Sequence, residues 1–149
     1  MDNLKLNFLD QDQQINWENN LDPIEKILHQ YGQKIYEYAK GYFNYVVTTA
    51  SFAYDDEIRE AALYIIIPEI GYDYRVLTIS YEDANHVNVS FYTLQAKQQE
   101  TESINIKEED WEDKVKAKVE EYLSSSVANN TFKFLVDQVE EKRTHRQEI

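Results

Sequence analysis

The spacing of apolar residues changes period twice along the chain. From residue 22 onward, Ile24, Ile27, Leu28, Tyr31, Ile35, Tyr38 and Tyr42 recur at helical intervals and define one buried stripe. Asp22-Pro23-Ile24-Glu25 opens this helix with a capping acid, a proline in the first turn and a glutamate three residues after the cap. Gly41 is the expected stop. Gly32 lies inside the stripe and costs about 1 kcal/mol relative to alanine without breaking it. The period then falls to two. Residues 42–54 are dense in Tyr, Phe, Val and Thr. Residues 58–67 end at Pro68 and predict a central strand, because both faces are apolar. Residues 74–82 alternate, with Leu77, Ile79 and Tyr81 on one face, and residues 86–95 alternate with Val87, Val89 and Phe91 together.

The connections between these strands are short. Asp55-Asp56-Glu57, Pro68-Glu69-Ile70-Gly71 and Asp83-Ala84-Asn85 all read as turns. Parallel strands would need long crossovers, so the pattern predicts an antiparallel meander. Residues 96–103 are polar and fit a loop or an edge strand, and Ile104 and Ile106 suggest a short fifth strand. Helical spacing returns with Trp111, Val115, Val119, Tyr122 and Leu123, after three acids suited to a helix start. A break is expected over 124–130, then a last helix with Phe132, Leu135, Val136 and Val139 on one face. The fold class is therefore α+β: an N-terminal helix, a four- to five-stranded antiparallel meander sheet, and one or two C-terminal helices packed on one face of the sheet. Residues 1–21 form a partly ordered arm, 22–143 a single domain, and 144–149 a frayed tail.

Composition narrows the function classes. The chain has 149 residues, with 28 Asp and Glu against 15 Lys and Arg, a net charge of −13, no Cys and only 3 Gly. No thiol chemistry or disulfide is available, and Gly32, Gly41 and Gly71 are too isolated to form a phosphate loop. The charge disfavours nucleic acid and anionic membranes and favours a basic protein partner. No basic start followed by an apolar run marks a secretory signal, and the apolar run over 61–67 is far short of a membrane span. The expectation is a soluble, cytoplasmic protein.

Candidate chemistry is sparse. His29, His86 and His145 have no second ligand at metal-binding spacing. Asp10-Gln11-Asp12 opens like a calcium loop, but Ile15 and Leu21 stand where that loop needs Gly and Glu. Ser124-Ser125-Ser126 lacks the glycines of a nucleophile elbow. The reading is therefore of a non-enzyme, with no catalytic, metal or cofactor residues. The 12 Tyr offer apolar rings with polar tips, and those beside carboxylates suit a partner rich in Arg and Lys. The candidate partner-binding residues are Tyr54, Asp55, Asp56, Glu57, Tyr72, Asp73, Tyr74, Glu108, Glu109 and Asp110.

In size and acidity the chain resembles the small immunity proteins that bacteria pair with toxins. The likeness lies in composition and covers no motif. It implies a non-catalytic module that binds and neutralises a basic partner. One alternative is a small acidic dimeric chaperone or adaptor, similar to secretion chaperones, whose exposed sheet edge would pair with a second copy. Another is a small-ligand binder or enzyme with a site assembled from scattered residues.

Overall fold

The computed structural model describes residues 22–51, 58–95 and 97–148. The first helix, α1, spans Pro23–Tyr38. Asp22 caps it, its carboxylate accepting a hydrogen bond of 3.1 Å from the Ile24 amide. The helix stops at Ala39, whose N–H returns to the Ile35 carbonyl, so Gly41 lies in the following turn rather than at the cap. A φ of +91° accounts for glycine at that turn position.

Five strands follow: β1 (Asn44–Ser51), β2 (Ile58–Ile67), β3 (Tyr72–Asp83), β4 (His86–Tyr92) and β5 (Gln98–Asn105). They form one antiparallel sheet in the order β1-β2-β3-β4-β5. The expected meander is thus present with all five strands. β2 is an interior strand, but β3 is the middle one. The turn at Pro68–Ile70 is a single 3-10 turn closed by Gly71 at φ +62°. The helices α2 (Trp111–Leu123) and α3 (Ser126–Glu148) complete the chain. The break between them is confined to Ser124 and Ser125, shorter than the sequence suggests.

The register explains which residues face the helices. Leu63 pairs with Leu77 and Tyr64 with Arg75, so Val76 is an extra residue in β3. This bulge inverts the alternation. Leu77 and Ile79 face inward above it, and Tyr74 and Tyr72 face inward below it, opposite Ile65 and Ile67. All three helices cover this one face. α1 lies over β1 and β2, and α2 lies over β4 and β5. The core joins Ile24, Leu28 and Ile35 of α1 to Leu63, Ile65, Leu77, Ile79, Val89 and Phe91 of the sheet and to Val115, Val119 and Leu135. Burial of each such side chain stabilises the fold by about 1.5–3 kcal/mol. Tyr74 is buried in this layer, its hydroxyl donating to the Tyr92 carbonyl at 2.8 Å and lying 3.3 Å from the Tyr122 hydroxyl.

α3 closes the end of the core at the β2–β3 turn. Phe132 meets Phe43, with ring centroids 6.1 Å apart. Arg143 donates from Nε and Nη2 to Glu69 and from Nη2 to the Gly41 carbonyl, while Arg146 reaches the second Glu69 oxygen at 2.9 Å. These bonds depress the Glu69 carboxyl, Arg143 contributing most. The helix runs through Thr144, where fraying is expected, to Glu148.

Gly32 has a packing reason that the stripe alone does not reveal. A Cβ built there would overlap the ring of Tyr45, whose hydroxyl lies 3.3 Å from Nδ1 of His29. Gly32→Ala should therefore destabilise the protein by about 1–3 kcal/mol through overpacking, despite alanine's better helix propensity. Urea unfolding of the two proteins checks this. An unchanged or higher midpoint would show that the Tyr45 ring yields.

Candidate functional site

The best candidate is an acidic rim at one end of the sheet, built from two turns. The first is the β3–β4 hairpin. Asp83 accepts a hydrogen bond of 2.7 Å from the Asn85 amide, the usual device by which Asp reverses a chain. Its carboxylate also lies 3.1 Å from Nδ1 of His86. The amide bond chiefly, and His86 after it, hold this carboxyl below its ordinary range, so it stays ionised. The second turn joins β5 to α2. Asn105 accepts from the Lys107 amide through its side chain at 2.9 Å, and the Glu108 carbonyl accepts from the Trp111 amide at 3.2 Å. One backbone bond ties the two turns together: the Ile106 amide donates to the Asn85 carbonyl at 2.8 Å.

This linkage sets the β3–β4 hairpin, with exposed Glu82 and Asp83, at the same end of the sheet as the segment carrying the exposed acids Glu108, Glu109, Asp110, Glu112 and Asp113. Several of these acids already have structural work. Asp83 shapes its turn, Glu108 pairs with Lys114, and Glu112 and Asp113 sit at the positive end of the α2 dipole. Glu82 makes only a 3.4 Å contact with the Ser103 hydroxyl, and the Asp110 side chain makes no capping bond. Glu109 has no hydrogen bond or ion pair among the described residues. Glu82 and Glu109 are therefore exposed and make no strong bond among the described residues, while exposed Asp110 lies at the positive end of the α2 dipole and acts on Lys114.

The sequence candidates divide. Glu108, Glu109 and Asp110 belong to this rim. Asp73 is exposed but lies at the start of β3, the opposite end of the sheet from Asp83 at its finish. At roughly 3.3 Å per residue the two are about 30 Å apart. Tyr72 is half-buried and donates to the Leu94 carbonyl at 2.9 Å. Tyr74 is core, and burial pushes its hydroxyl well above the usual phenol range. The bulge at Val76 turns both tyrosines inward, so neither presents its ring to a partner as expected. Tyr54, Asp55, Asp56 and Glu57 lie outside the described residues; Ser51 and Ile58, which flank them, stand at the Asp83 end.

Two groupings escape a linear reading. Glu82, Asp83 and His86 bring one ligand atom each within 4.8 Å of one another, a set that could hold a divalent cation. The hairpin's own hydrogen bonds account for Asp83 and His86 in this grouping. The second lies at the start of α1. Asp22 is 3.3 Å from the Tyr81 hydroxyl, and His29 is 3.7 Å from Glu25 and 3.3 Å from the Tyr45 hydroxyl. Burial pushes His29 down to about 3 and Tyr45 up to about 12. Burial and the nearby Asp22 charge raise Glu25. The imidazole is therefore neutral at neutral pH, its contact with Glu25 is no ion pair there, and 3.7 Å is too long for a proton relay.

A cleft of about 360 Å³ opens among the three helices at the other end of the molecule. Ile35, Leu123 and Phe132 form its apolar floor, and Tyr38, 75% exposed, stands at its mouth. Within it the Tyr31 hydroxyl donates to Glu120 at 2.6 Å, with Lys34 4.0 Å from the same oxygen. No helix among the described residues is long and apolar enough to cross a membrane. Comparison with protein-family models, with curated proteins and with solved structures gives no match.

His29 generates a prediction about pH. Its folded pKa lies below its unfolded value of 6.5, so the unfolded chain binds more protons between about 3 and 6.5. Its contribution is fully present above 6.5 and is lost as pH falls, at a slope approaching about 1.4 kcal/mol per pH unit. Glu25, with a raised folded pKa, works the other way just above 4.5, so the His29 signal is cleanest nearer its upper limit. Unfolding free energies from pH 7 down to pH 5 should fall for the native protein and flatten for His29→Gln. Equal slopes would remove His29 as the cause.

Proposed function

We propose that the protein is a non-catalytic binding module that holds a basic protein partner against its acidic rim. The observation that carries this reading is that the Ile106–Asn85 hydrogen bond ties two acidic turns together at one end of the sheet, where Glu82 and Glu109 make no strong bond among the described residues and Asp110 lies exposed at the N-cap of α2. An array of ionised carboxylates steers a cationic surface and pairs with Arg and Lys on contact. Neutralisation of a basic toxin-like partner by blockade is the mechanism this charge pattern suits. The net charge of −13 supports the same direction of encounter. A second reading, small-ligand binding, is favoured by the three-helix cleft, whose volume lies at the lower end of the range of ligand sites.

The test is capture from native lysate with the wild-type chain and with a Glu82→Gln, Glu109→Gln, Asp110→Asn variant, at low and high salt. These positions carry no packing and asparagine is itself a good N-cap for α2, so the variant should keep the wild-type unfolding free energy within about 1 kcal/mol. The expected result is one stoichiometric basic protein, retained at low salt, released at high salt and lost by the variant. Capture that ignores both salt and the substitutions, or no stoichiometric basic protein at all, would overturn the reading.

A further inference from the structure

The two edges of the sheet differ in a way that the rest of the molecule does not require. β5, Gln98–Asn105, carries Glu100 and Glu102, and Lys118 of α2 lies 3.8 Å from Glu102. Charged residues on an edge are the usual protection against pairing with another chain. β1, at the opposite edge, reads Asn-Tyr-Val-Val-Thr-Thr-Ala-Ser: no charge, no proline and no glycine over eight residues. Its one irregularity is the register shift between Ala50 and Ser51, at the far end of the strand. Val46 is 43% exposed, and Thr48, Thr49 and Ala50 are exposed as well. Among the described residues, β1 pairs with β2 on one side only. Its other side therefore presents backbone donors and acceptors beside β-branched side chains, which is a strand template.

We infer that β1 is a homodimer interface, in which β1 of a second copy pairs antiparallel with it and joins two five-stranded sheets into one. Charge selects a second copy over a basic strand. β1 offers a cationic segment no carboxylate, and an uncharged strand gives two chains of −13 a place to meet without apposing acids. The acidic rim lies on the β3–β4 and β5–α2 turns, away from this edge. Antiparallel partners share a face, so a two-fold pairing centred on Val47 sets Val46 beside Thr48 of the second copy on the uncovered face. On the helix-covered face, α1 flanks the seam. Its residues at 29, 32 and 36 share one side, and His29 and Gly32 rest on Tyr45 of β1. Half-buried Tyr36 lies on the same side of α1, one turn further along.

Sedimentation of the full chain over a range of concentrations, at low and high NaCl, tests this. The expected result is a reversible dimer that tightens as salt rises, because screening removes repulsion between like-charged copies. That is the opposite of the salt response expected at the acidic rim. Val46→Lys with Thr48→Lys should weaken the dimer by about tenfold or more, since the pairing would set lysine beside lysine. An unchanged monomer unfolding midpoint at low concentration shows that the variant folds, because both positions face water in the single chain. Amide exchange in β1 should slow with rising concentration in the native protein alone. A native chain that stays monomeric at about 100 µM in high salt overturns the inference. So does a dimer that the double lysine variant forms equally well.

Discussion

Among the described residues, the five-stranded sheet is covered by helices on one face, and that asymmetry governs the rest of the molecule. Three helices compete for that face, and the core between them and the strands is where the apolar surface goes. The other face and both edges must then be made compatible with water by side-chain choice alone. Glu60, Asp73, Ser80, Asn88 and Ser90 occupy the uncovered face, and Arg75 lies over the Tyr92 ring at 4.1 Å, shielding an aromatic that the helices do not reach. The same constraint sends charge to the turns. An antiparallel meander has turns at both ends, and at one of them this chain gathers a run of exposed carboxylates. The other end is braced by Arg143 and Arg146 on Glu69.

Much of this architecture was legible in the sequence, for a physical reason. Period and turn chemistry are local properties, and the first helix, the hairpins at Pro68 and Asp83, and the helix from Trp111 are set locally. What was not legible depends on pairing at a distance. β5 has one buried apolar residue, Ile104, so its strand character comes from hydrogen bonding to β4 and leaves no alternation to read. The last turns of α3 have no apolar stripe and are fastened by Glu69, more than seventy positions away. The site shows the same division. Glu108, Glu109 and Asp110 could be picked out as a local run of acids, but their neighbours Glu82 and Asp83 become neighbours only through the register that brings Asn85 to Ile106. Tyr74 was misjudged because one inserted residue, Val76, reverses the phase of β3, and a bulge inside an apolar stretch carries no mark in composition.

The acidic rim and the β1 edge are consequences of one charge distribution seen from two sides. A chain carrying −13 at neutral pH repels its own copies wherever carboxylates face outward, and that repulsion protects most of its surface from self-association. Among the described residues, protection is incomplete where a strand edge is both unpaired and uncharged. β5 meets the condition of being unpaired but carries charge; β1 meets both. If the lack of charge in β1 were incidental, a lysine at any of its outward positions would cost the monomer little and would guard the edge, as charged residues do on edge strands generally. The chain instead spends its charges at the turns and leaves this strand bare. That contrast, rather than acidity as such, is the argument for association at either place: the rim gathers exposed carboxylates, and the edge omits charges the fold would tolerate.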